Sequence, residues 1–248
     1  MKLPTCMACL ALMAAGADAR PERRRRVDPP RPPAPIVVLD PGHGGSNPGA
    51  RGIGYNEKEL TLALAGRVAD RLRARDVDVR LTRTGDRTLT LRQRIEIANR
   101  APADVFVSIH ANASPSRSRR GFETFVLPPH GVDVDGRALR GGATTPRPGV
   151  DPDIALVLDD VERGASQWEA ADLAARMQRS LRDRRGAAGD RGVRQEVHHV
   201  LLGATMPAVL VEVGFLDHPL EGKELADPRI QDQLADALAE AILDQLAD

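Results

Sequence analysis

From Ile36 onward the chain alternates short apolar runs with stretches of helical periodicity. IVVLD (36–40) is a β-branched run closed off by Pro35 and Pro41, the pattern of a buried strand. A Gly-rich loop, PGHGGSNPGARGIG, follows it. Asn56 then stands as the cap of a helix whose Leu60, Leu64, Val68 and Leu72 recur at helical spacing. VDVRLT (77–82) predicts the next strand and completes a β-loop-α-β unit. A helix over 91–100, strands over 103–110 and 122–127, and late strands over 197–202 and 208–213 continue the alternation. The last helix takes Asp227 as its cap and Pro228 at its first position, with Ile230, Leu234, Leu238 and Ile242 on one face. This rhythm predicts one α/β domain over 36–248, a mostly parallel twisted sheet with helices on both faces. In such sheets ligands bind beyond the carboxyl ends of the strands, which directs attention to the residues there.

Three stretches stand outside the rhythm. Residues 1–19 have the parts of a secretory signal: Lys2, an apolar stretch from Cys6 to Ala15, and small Ala17 and Ala19 around Asp18. Cleavage after Ala19 is expected, and with it export to the periplasm, the cell envelope or the medium. Residues 20–35, RPERRRRVDPPRPPAP, cannot bury apolar area and read as an extended linker, with an Arg run able to touch anionic surfaces. Between Pro128 and Pro152 the chain is rich in Gly, Pro and Asp, the composition of a movable flap. The helical segment after it offers Asp153, Asp159, Asp160 and Glu162 as groups able to compete for a metal's open position. The same segment also reads as a helix packed on the sheet through Ile154, Leu156, Val157 and Val161, its acids in solvent.

Composition narrows the chemistry. Lys+Arg and Asp+Glu both number 35, so the formal charge is zero and no basic field draws the chain to nucleic acid. Aromatic residues make up 2% of the chain, too few for base-stacking or broad sugar-stacking surfaces. Both cysteines, Cys6 and Cys9, lie in the expected leader, so disulfides, Cys nucleophiles and Cys-ligated metals drop out of the mature chain. HExxH, GxSxG, GxGxxG and Walker sequences are also missing.

What remains is a constellation at strand ends. His43 in LDPGHGG and His110 in VSIHANA both follow strand-like runs and are expected at one edge of a parallel sheet. Glu57 stands in the first turn of the helix that leaves the His43 loop. Taken alone, each has a plainer reading as a capping histidine or a favourable charge at a helix N-terminus. Glu212 in VLVEVGF is different, because a carboxylate in such an apolar run needs a metal, cation or donor beside it. Two imidazoles and one carboxylate make a three-ligand Zn²⁺ site with an open fourth position, and a further carboxylate supplies a general base. Asp40 and Asn112 are candidates to orient the ligands or to position substrate, with Asp40 equally readable as a cap on the turn at Pro41.

LDPGHGG, NEKELTLALA, VRLTRTGD, LRQRIEIAN, DVFVSIHANA, GFETFVL and MPAVLVEVGFLDHP occur in this order from about Ile36 to Leu246. In these motifs the chain resembles the zinc-dependent N-acetylmuramoyl-L-alanine amidases, the type that includes the bacterial cell-division amidases. The resemblance implies that His43, Glu57 and His110 ligate zinc and that Glu212 is the catalytic glutamate. Glu57 is preferred to Glu59 because the family's Glu-Lys pair matches Glu57-Lys58. It further implies a peptidoglycan hydrolase that uses zinc-activated water to cleave the amide between N-acetylmuramic acid and L-alanine of the stem peptide. The 128–152 loop departs from the pattern, and no wall-binding repeat or localisation domain accompanies the catalytic part, any regulatory protein partner being unspecified. Two other readings use the same residues. A zinc carboxypeptidase-like enzyme requires a cation to clamp a terminal carboxylate, for which Arg83 and Arg94 are candidates, and an inactive wall-binding or regulatory module requires no intact site.

Overall fold

In the computed structural model, residues 33–52, 54–128 and 148–248 are described, and between 152 and 163 only the side chains of Ile154, Leu158, Val161 and Glu162. The expected leader, nearly all of the linker, most of the 128–152 loop, and the side chains of Asp153, Leu156, Val157, Asp159 and Asp160 lie outside the described residues. Strands β1 (Ile36–Pro41), β2 (Asp78–Leu81), β3 (Val105–Asn112), β4 (Phe122–Val126), β5 (Asp190–Gln195) and β6 (Ala208–Phe215) form one sheet in the order β2-β1-β3-β6-β4-β5. The helices are α1 (Glu57–Arg73), α2 (Leu91–Arg100), α3 (Pro152–Arg185), α4 (Glu221–Ala226) and α5 (Pro228–Leu246). No helix among the described residues is long and apolar enough to cross a membrane.

β1, β2, β3 and β6 run parallel, whereas β4 runs antiparallel to β6 and carries β5 with it. The period of two along each strand sorts the core into two layers. Val37, Leu39, Val107, Ile109, Val211 and Val213 face α1, α3 and α5. Val38, Phe106 and Leu210 face the other way, against Ile95 and Ala98 of α2 and against Val200 and Leu201. Each such Leu, Val or Phe contributes roughly 1.5–3 kcal/mol by leaving water. On this second face the apolar residues give way, toward the carboxyl ends of β1, β3 and β6, to Asp40, Ser108, His110 and Glu212. The chain leaves β1 for β2 on one side and returns to β3 on the other, so the strand order reverses between β1 and β3. That is where α/β sheets open a ligand crevice.

Two expectations are corrected here. Residues 197–202 do not form a strand. Val200, Leu201 and Leu202 are buried in a turn against the α2 layer, so their apolar run reflects packing on the sheet rather than membership of it. The strand on that side is instead DRGVRQ, a largely polar run whose edge position requires little burial. The N-terminal part of α3 does not pack through Ile154 and Val161, which are 56% and 63% exposed. The helix is anchored further on by Leu173, Ala174, Met177 and Leu181, all buried. Glu162 is exposed.

Candidate metal centre and active site

β1 ends at Pro41, and the Gly-rich loop turns the chain back so that α1 begins beside it. At Asn56 the backbone amide donates to the Glu59 carboxylate, 2.5 Å, so Glu59 serves the helix cap. Glu57, at the first helical position, is thereby free to face inward. It is 3% exposed. Its Oε1 accepts from His110 Nδ1 at 2.9 Å and from the Ala111 amide at 3.1 Å, and its Oε2 accepts from the Ala50 amide at 2.8 Å. His43 Nε2 lies 3.0 Å from the same Oε2. One donor atom from each of His43, Glu57 and His110 falls within 4.8 Å of the others, the only such trio among the described residues.

The backbone permits this convergence at two glycines. A Cβ at Gly42 would overlap the His110 ring, and one at Gly49, where φ is +69°, would collide with Glu57 and His43. His43 itself sits in the left-handed region at φ 59°, strained for a non-glycine residue. Its orientation is set by Asn47, whose Oδ1 accepts from His43 Nδ1 at 3.0 Å and from the Gly49 amide at 3.1 Å. This leaves Nε2 toward Glu57. Nitrogen and oxygen donors only, three in number, with a ligand histidine oriented through its other nitrogen, fit a divalent ion of the zinc type.

Glu212 enters from β6. It pairs in register with His110 on one side and with Glu123 of β4 on the other. Its Oε2 is buried with no hydrogen-bond partner among the described residues. Burial, followed by the charges of Glu57 and Glu123, pushes its carboxyl well above the usual carboxylate range. At Glu57 burial works in the same direction, but hydrogen bonds from His110 and His43 and their charges overcome it and hold the carboxyl below that range. Burial disfavours a charged His43; its hydrogen bond to Glu57 and the Glu57 charge prevail and raise it.

Several expectations resolve differently. Asp40 neither caps the Pro41 turn nor touches a ligand. It is fully buried and accepts from Thr82 Oγ1 at 2.5 Å, Ser108 Oγ at 2.7 Å and Arg94 Nη1 at 2.7 Å. Arg94 in turn donates to the carbonyls of Pro41 and His43, at 2.8 and 2.6 Å. Arg83, 1% exposed, donates to Pro41, Gly42 and Lys58 carbonyls. Neither arginine is available as a carboxylate clamp; both hold the His43 loop. Asn112 donates to Glu123 at 3.0 Å rather than to a ligand. His198 stacks on Phe125 outside the donor cluster. Asn47, Gly49, Glu123 and the arginines beside Glu123 escaped sequence reasoning. Only Asn47, in a turn-forming SNPG run, carried a local signal.

Fold and donor set define the class: an α/β domain with a candidate metal site at the carboxyl edge of its sheet. The model of the N-acetylmuramoyl-L-alanine amidase family matches residues 37–244, and the chain belongs to that family. It is 32% identical over 217 residues to the N-acetylmuramoyl-L-alanine amidase AmiA of Escherichia coli, covering 84% of this chain and 75% of that protein. To AmiC of Neisseria meningitidis it is 31% identical over 220 residues, covering 84% and 52%. Among solved structures it is similar to the catalytic domain of CwlV, an N-acetylmuramoyl-L-alanine amidase of Bacillus (Paenibacillus) polymyxa var. colistinus. That match has a TM-score of 0.66 and 31% identity, and covers 86% of this chain and 98% of the other. AmiC2 of Nostoc punctiforme matches with a TM-score of 0.66 at 30% identity and the same coverage.

Proposed function

We propose that this amidase is an exported, zinc-dependent peptidoglycan hydrolase that cleaves the amide between the lactyl carbonyl of N-acetylmuramic acid and L-alanine of the stem peptide. The observation that carries the reading is the convergence of His43, Glu57 and His110 donor atoms within 4.8 Å, with Glu212 in register beside His110. Family membership supports the bond, and the donor set supports the metal.

His43, Glu57 and His110 would hold a zinc ion, which would supply Lewis acidity toward the amide carbonyl and water and favour the ionised form of a nearby carboxylate. Glu212 is the proton carrier. Its unpartnered Oε2 takes a proton from the attacking water and delivers it to the L-alanine nitrogen as the C–N bond breaks. The upward push on its carboxyl suits a group that must hold this proton between the two transfers. Glu57 is held anionic by the two histidines and is unsuited to carrying a proton. Burial of Arg83 and Arg94 removes the clamp that the carboxypeptidase reading required. Export rests on the character of residues 1–19 and on a substrate that lies outside the cytoplasm.

The test is digestion of purified peptidoglycan by the metal-stripped and zinc-reloaded protein, with mass spectrometry of the released ends. Intact stem peptides with a free L-alanine amine, released only after zinc is restored, are expected. Release of single amino acids, or equal release without metal, overturns the reading.

A further inference from the structure

Glu123 lies directly across β4 from Glu212 and is 5% exposed. Its Oε1 is taken by Asn112, and its Oε2 is approached by two guanidiniums from β5, Arg191 Nε at 3.1 Å and Arg194 Nε at 3.4 Å. Two guanidiniums thus converge on one buried carboxylate, with Glu212 the neighbouring carboxylate across the strand pair. Among the described residues the Nη atoms of neither arginine make a hydrogen bond, and each guanidinium carries five N–H donors. Arg191 is 26% and Arg194 46% exposed at the side chain, so both reach solvent. The Arg191 guanidinium carbon also lies over the Phe215 ring, 5.2 Å from its centroid, beside the end of β6.

We infer that Arg191 and Arg194 bind a free carboxylate of the substrate's peptide, on the residue that follows the L-alanine. This rests on the amidase reading above. In that substrate the lactyl carboxyl is consumed in the scissile amide, so every free carboxylate lies on the peptide side. An α-carboxylate on the second residue lies about two extended residues, roughly 7 Å, from the scissile carbonyl. The guanidiniums lean from β5 back over β4, between one and two strand spacings, about 5–10 Å, from β6 and Glu212. The span and the sign of charge agree. The planar forks suit bidentate capture of a carboxylate, and the site needs no movement of the buried arginines that hold the His43 loop.

The experiment compares the zinc-loaded protein on two muramyl peptides that differ only in the second residue, with a free α-carboxylate or an α-carboxamide. Wild type is expected to favour the carboxylate substrate by about 10–100-fold in kcat/KM, mostly through KM, as for a charge-assisted hydrogen-bonded pair. Arg194→Gln and Arg191→Gln should each shrink that ratio, the double variant should bring it near one, and Arg191→Lys should restore part of it. Arg194→Gln is the safeguard against misfolding, since Arg191 still neutralises Glu123 and the residue is half-exposed. A variant ratio equal to that of wild type, or no preference in wild type, overturns the carboxylate site while leaving the amidase reading intact. Failure of wild type to cut the muramyl–alanine bond in either substrate overturns both.

Discussion

At the scale of single residues, substitutions should separate the proposed ligands from the proposed proton carrier. Replacing His110 by Ala removes one of three donors from a cluster with no spare, and zinc content by elemental analysis should fall to background. Glu212→Gln keeps the three donors but cannot accept a proton, so it should retain zinc and lose about 10²–10⁴-fold in turnover. Loss of zinc from Glu212→Gln would reassign that residue as a ligand. Gly49 is the residue whose role is least visible from its type. With φ at +69° and Glu57 and His43 where a Cβ would lie, Gly49→Ala should cost about 1–3 kcal/mol in chemical denaturation and weaken zinc retention. A variant with wild-type zinc affinity would show that the loop relaxes without disturbing the donors. His43, Glu57 and His110 could be singled out from sequence because each belongs to a strand end or a helix start with a local signature. Glu123, Arg191 and Arg194 could not, since nothing in their neighbours says what they will face.

At the scale of elements, the His43 loop is held by a connection that crosses three of them. Asp40 on β1 pairs with Arg94 on α2, and Arg94 continues to the carbonyls of Pro41 and His43. The pair is nearly inaccessible, with side-chain exposures of 4% and 0%. Arg94→Met should leave Asp40 buried with only hydroxyl partners and cost about 3–5 kcal/mol. Arg94→Lys retains charge without the planar fork, and should recover stability more fully than zinc affinity if the guanidinium positions His43 as well as neutralising Asp40. Equal recovery of both, by denaturation and chelator competition, would reduce Arg94 to a structural role. Element order was legible because strand and helix periods differ. The 197–202 run was misread because burial in a turn and burial in a strand select the same residues, and β5 was missed because an edge strand demands little apolar patterning.

At the scale of the molecule, the charge cluster links stability to pH and metal. His43 is raised above 6.5, so in the metal-free protein its contribution is full below that value and is lost as pH rises through its folded pKa. Glu57 is lowered below 4.5, so its contribution is present above that value and is lost as pH falls through its folded pKa. The metal-free fold should therefore gain most from the cluster between these limits. With the proposed ligand set, zinc binding would displace the His43 proton, so its stabilising effect should grow with pH. Thermal unfolding across pH 5–9 with and without zinc should show a larger metal-dependent rise in Tm at the alkaline end. A pH-independent rise would mean that His43 is unprotonated before the metal binds.

By itself the sequence determined the alternation of strands and helices, the cap of the last helix, the candidate donors His43, Glu57 and His110, and the isolation of Glu212 in an apolar run. All of these are local: periodicity, turn chemistry and the cost of burying a charge are written within a few neighbouring residues. Only the tertiary structure decided that β4 reverses direction, that Glu212 stands between His110 and Glu123, that Arg83 and Arg94 are buried under the loop, and that Arg191 and Arg194 converge on one carboxylate. These depend on pairings between segments far apart in the chain, which form when apolar faces are buried together. Local patterning sets which face a residue occupies, but not which residue of another strand lies across from it.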